Sequence, residues 1–153
     1  MADDLRALED WAGALLNQLQ PAERRRVTQT IARDLRRSQQ QRIAAQKNAD
    51  GTPFAPRKPR QELRAKAGRI KRRRQMFTKL RTARYLRLQS DASSIAIGFA
   101  SRLSRIARIH QYGLRDRPAS GAPDVQYARR ELLGFTDADL ELIRDRLLEH
   151  LVR

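Results

Sequence analysis

The chain has no cysteine, which excludes disulfides and thiolate metal sites. It has only two histidines, His110 and His150, far apart in sequence, so no paired imidazoles stand ready for a metal or a proton relay. No window approaches 18 consecutive apolar residues, and a membrane span is not expected. The opening run MADDLRALEDW is acidic and has no apolar core segment, so it does not read as a secretory signal. Gly-rich phosphate loops are absent, and the acids form no cluster with the loop spacing that calcium or magnesium needs. No Ser-His-Asp or Cys-His order is suggested. His110 reads as a packed or hydrogen-bonded histidine, and His150 as a complement to a helix dipole. Little supports an enzyme, and no cofactor is implied.

What the chain does have is positive charge in one place. Between Phe54 and Arg87 stand 14 Lys or Arg against one acid, Glu62, a local +13 of the whole chain's +16. The remainder is therefore near neutral. Charge this concentrated points to a polyanionic partner or to a segment held off the core by self-repulsion. Pro53, Pro56 and Pro59 rule out a plain helix in its first half. Residues 49–74 are expected to form a long basic loop or arm, mobile in an isolated subunit. Its candidate contact residues are Arg57, Lys58, Arg60, Arg64, Lys66, Arg69, Lys71, Arg72, Arg73 and Arg74. So many cations could neutralise many phosphates, but the aromatics are not interleaved as a stacking platform. The alternative is an arm ordered on an acidic protein surface. Charge alone leaves the two level.

Periodicity supplies the frame, a single domain over 1–153. Leu5, Leu8, Ala12, Leu15, Leu16 and Leu19 predict an amphipathic helix over 3–19, with Trp11 beside the stripe as core or rim packing, or as an exposed anchor. Pro21 suits the first turn of a second helix over 21–47, ended by Asp50-Gly51. Its second half, RRSQQQRIAAQKN, has so few large apolar residues that it is expected to project or to be covered by another subunit. A short helix follows over 75–83. Tyr85–Leu88 and Ile95–Phe99 alternate as an antiparallel hairpin around a polar turn. Residues 102–112 read as a helix ended by Gly113, 115–123 as a loop, and Val125–Tyr127 as a possible third strand. Thr136 caps a terminal helix with Leu140, Ile143, Leu147 and Leu151 inward. The fold class is α+β: long N-terminal helices (within 3–48) and a C-terminal helix packed on a short antiparallel sheet.

Several stretches taken together resemble a known family. They are Asn48 to Lys58 (NADGTPFAPRK), Met76 to Leu80 (MFTKL), Ile97 to Phe99 (IGF), Ile106 to Gly113 (IARIHQYG) and Tyr127 to Thr136 (YARRELLGFT). Their order and spacing are similar to the phage virion morphogenesis family, the S-type tail completion proteins of contractile-tailed phages, over roughly 20–153. Ala128 stands where that family's run carries proline. The resemblance implies a structural protein that finishes the tail and joins it to the head. It implies a homo-oligomeric ring at the neck, a hexamer if it follows the tail's symmetry. The partners it implies are the tail tube or terminator and head-neck proteins, with possible contact to genomic DNA in the lumen and none to membrane. The implied location is the virion neck or tail end, after assembly in the bacterial host cytoplasm. It brings no catalytic residues. A free-standing basic nucleic-acid-binding protein is the alternative.

Overall fold

The computed structural model describes residues 2–57, 75–100 and 102–152. Helix α1 (Ala2–Leu16) begins with Asp3 and Asp4, whose charge suits the positive end of the helix dipole, and buries Leu8. Helix α2 (Pro21–Ala44) is the longest element, about 36 Å by the usual rise per residue. Pro21 opens it, and the Gln20 amide donates to Glu23 Oε2 at 3.3 Å. The helix ends earlier than the sequence predicts. Gln46 takes a left-handed φ of 58° and stops the spiral, so Asp50-Gly51 does not end it. Those two residues instead form the tip of a tight turn. The Asn48 amide donates to the Thr52 carbonyl (2.8 Å), Gly51 sits at φ 87°, and Asp50 Oδ1 accepts from the Thr52 amide (2.9 Å).

Strands β1 (Leu86–Ser90) and β2 (Ile95–Phe99) form the antiparallel hairpin, with Leu86 opposite Phe99 and Leu88 opposite Ile97. Leu86 and the half-buried Leu88, Ile95, Ile97 and Phe99 share the inward face, while Arg87, Gln89 and Ala96 face out. The hairpin packs on α2. Its turn is built on Asp91, whose Oδ1 accepts from the amides of Ser93 (2.7 Å) and Ser94 (2.8 Å). Helix α3 (Leu103–Tyr112) ends at Gly113, φ 63°. A Cβ there would lie 3.0 Å from the Arg129 amide nitrogen, so conformation and space both demand glycine. Helix α4 (Asp137–Leu151) starts at Thr136, whose Oγ1 accepts from the Asp139 amide (3.1 Å) while Asp139 Oδ2 accepts from the Thr136 amide (2.9 Å).

Two local expectations are corrected. The 75–83 helix is instead a series of turns, because Phe77 adopts φ 65° and breaks the spiral. Val125–Gln126 (β4) does not extend the hairpin. It pairs with Arg115–Asp116 (β3) as a separate two-stranded ribbon, drawn there by the tight chain reversal after α3. The α+β architecture itself stands: helices packed on a short antiparallel sheet. Two apolar clusters lie along α2. One joins Val27, Ile31 and Leu35 to Leu147 of α4, with Trp11, Ile95 and Ile143 around it. The other joins Ile43 to Phe54, Leu80, Ala107 and Leu132, with Phe77 and Phe99 around it. Trp11 is thus half-buried rim packing.

Candidate functional site

The second half of α2 does not project. Gln39, Arg42 and Ile43 are buried, and the cover comes from this chain's own 130–134 segment. Polar side chains tolerate that burial because each is hydrogen-bonded to backbone that has no sheet or helix partner. Arg42 Nη1 donates to the carbonyls of Lys47 (2.9 Å) and Glu131 (2.6 Å); Nη2 donates to Leu132 O (2.9 Å) and Gln39 Oε1 (2.6 Å). Burial pulls the Arg42 guanidinium below the usual arginine range, while Glu131 and Asp139 oppose the shift. Asp139 is 1% exposed and ties α4 to the same face through Ser38 and Gln39.

Gln111, on α3, clamps the segment from the other side. Its Oε1 accepts from the amides of Leu132 (2.8 Å) and Leu133 (2.9 Å), and its Nε2 donates to Leu133 O (2.8 Å). Gly134 passes so close to the 48–52 turn that a Cβ would lie 2.8 Å from that of Ala49. Asn48 Oδ1 accepts from the Glu131 amide (2.8 Å). Residues of three of the runs quoted above, Asn48, Gln111 and Arg130 to Gly134, therefore meet in one polar knot.

The knot fixes both ends of the basic stretch. At the entry, Arg130 Nε donates to Ala55 O (2.7 Å) and Nη2 to Pro56 O (2.8 Å). Phe54 is buried, and its amide donates to Gln46 O (2.7 Å). At the exit, Gln46 Nε2 donates to Met76 O (2.9 Å) and its Oε1 accepts from the Met76 amide (2.8 Å). Over 53–56 the chain is thus stitched to the core by these bonds. Behind Arg130 stands His110, whose Nδ1 is 3.2 Å from Arg130 Nη1. Its ring lies edge-on between Phe77 (4.8 Å) and Tyr127 (5.1 Å). Burial first, then the charges of Arg130 and Arg57, push its pKa down to about 4. A neutral ring accepting from a guanidinium is thus a packed histidine, as the sequence suggests.

Of the candidate contact residues, Arg57 is exposed at the edge of the knot. Lys58, Arg60, Arg64, Lys66, Arg69, Lys71, Arg72, Arg73 and Arg74 lie outside the described residues. Sequence reasoning missed Gln39, Arg42 and Arg130 as buried groups, and Gln46 and Gln111 as half-buried ones. Gln39, Ile43 and Gln46 continue the spacing of Val27, Ile31 and Leu35, a signal hidden by their polarity. Among the described residues no group of three His, Asp or Glu stands together as a metal ligand set, and no helix is long and apolar enough to cross a membrane.

Comparison with known proteins agrees with the motifs. No solved structure matches the chain significantly. It is 39% identical over 152 residues to the tail completion protein S of Escherichia phage P2, covering 99% of each chain. The phage virion morphogenesis family model matches residues 3–152, and the chain belongs to that family.

Proposed function

We propose that this chain is a structural protein that completes a phage tail and joins it to the head, as one subunit of a neck ring. The carrying observation is the end-to-end similarity to a tail completion protein. The ring is six-fold in this reading, to follow the tail's axis. Its neighbours are the tail tube or terminator and head-neck proteins, with DNA passing the lumen. The motif residues support a structural role without catalysis, since their side chains hold backbone and fix two chain ends (Gln46, Arg130). The working surface is the basic stretch, Arg57 to Arg74, against acidic protein or DNA.

The test is rescue of tail-to-head joining in a lysate lacking the tail completion protein. Full-length protein restores joining. A variant with 58–74 replaced by a short Gly/Ser linker keeps its fold, because Phe54 stays in the core and the Ala55 and Pro56 carbonyls stay bonded to Arg130, and fails to rescue. Normal joining by that variant refutes the role given to the arm. The concentrated charge also favours a free-standing nucleic-acid-binding protein. Persistent monomers with tight, salt-dependent DNA binding and no rescue support that second reading.

A further inference from the structure

The described surface carries two apolar faces of opposite charge. The first is the outer side of α4. Leu148 (44% exposed) and Val152 (87%) line an open depression of about 580 Å³ with Asp145 and Glu149. Glu141 continues the face one turn earlier. The two arginines of this helix are each bonded to an acid, Arg144 to Glu141 and Arg146 to Asp34 and Glu149. Helices α1 and α4 hold nine of the chain's 17 acids, so the negative charge is concentrated here.

The second face is α3 and the turn after it. Ile106 (45% exposed) and Tyr112 (63%) stand in solvent with Leu114. Arg102, Arg108 and Arg115, in and beside the same helix, are exposed as well. The two helices pack on different clusters: α3 supplies Ala107 to one, and α4 supplies Leu147 to the other.

We infer that these two faces dock on each other between copies of this chain, α3 of one copy on α4 of the next. A chain of net charge +16 repels its own copies unless an acidic surface meets a basic one. Contact between like faces would juxtapose like charges, which disfavours an isologous dimer. Unlike faces attract, and exposed apolar side chains on both sides provide the buried centre that charge alone lacks. A contact of this kind is heterologous, so repeated around an axis it closes a ring. The inference rests on the reading of the chain as an assembly subunit and names the surfaces that subunit uses.

Sedimentation of the purified full-length chain tests it at about 0.1 mM and low salt, where weak contacts are populated. Wild-type protein self-associates, and raised salt reverses this. Glu141→Lys with Asp145→Lys, or Arg102→Glu with Arg108→Glu, weakens association about 10-fold or more, because like charges then face each other. Both pairs are exposed, so unchanged circular dichroism and thermal midpoint show an intact fold. Mixing the two variants restores assembly, since reversed faces match. Leu148→Ser and Tyr112→Ser weaken association without altering its salt dependence. A wild-type monomer under these conditions overturns the inference. So does association that the charge pairs leave unchanged, or mixing without recovery. Rescue of tail joining is a separate readout. A non-associating wild type that still rescues defeats this contact and leaves the proposed function standing.

Discussion

The two halves of α2 are buried by different means. Toward its start, Val27, Ile31 and Leu35 meet Leu147 of α4 across an apolar contact. Further along the same face, Gln39 and Arg42 are buried as completely, but against backbone carbonyls and a carboxylate. The first half is held by area removed from water, which is non-directional. The second adds to the apolar contact of Ile43 directed bonds to irregular chain, and such bonds fix a route as well as a contact. Where the chain must run without helix or strand, as in 46–57 and 129–135, side-chain donors and acceptors take over what a ladder would do.

The sharpest way to break the comparison is Arg42→Met. Similar volume remains, but the carbonyls of Lys47, Glu131 and Leu132 lose a buried donor, and stability to denaturant should fall by about 4 kcal/mol. Hydrogen exchange should rise first in 129–134 and 46–56. Leu147→Ala, at the apolar end, should cost about 3 kcal/mol through lost transfer and a cavity, with faster exchange in α4 instead. Equal exchange patterns in the two variants would erase the distinction. Thr136→Ala removes the cap of α4 and should cost about 1 kcal/mol.

A further effect is in pH. His110 is held neutral in the fold, with a pKa of about 4 against 6.5 unperturbed. Between those values the unfolded chain binds a proton that the folded chain refuses, so stability falls as pH drops from 6.5 toward 4. The thermal midpoint should track this, and His110→Asn should flatten that window. Asp91 belongs to a lower one. Hydrogen bonds from Ser93 and Ser94 pull its pKa from 3.8 to about 2, so its contribution is present above 3.8 and fades below. Asp91→Asn should leave the upper window unchanged.

The apolar half was legible because burial there leaves a periodic trace in residue type. The stripes of α1, α2 and α4, the alternation of the hairpin, the Thr136 cap and the Gly113 stop all follow from local rules, except that Leu151, expected inward, is exposed in the last turn of α4. The knot was not legible. Gln39, Arg42 and Gln111 look like surface residues until the segment that covers them is in place, and that cover comes from far along the chain. Phe77 and Gln46 broke expected helices for a similar reason. Gln46 bonds Met76, and Phe77 packs between Phe54 and His110, so tertiary contacts overrode local propensity. The resemblance motifs marked where the knot lay without saying what their residues did.

One residue, Gln46, receives the chain on both sides of the most charged segment, through its carbonyl to Phe54 and its amide group to Met76. The two points are thereby held at a fixed separation, whatever sequence joins them. A replacement twice as long adds only about 0.6 kcal/mol of closure entropy. A replacement of different length or charge would thus be presented by the same scaffold.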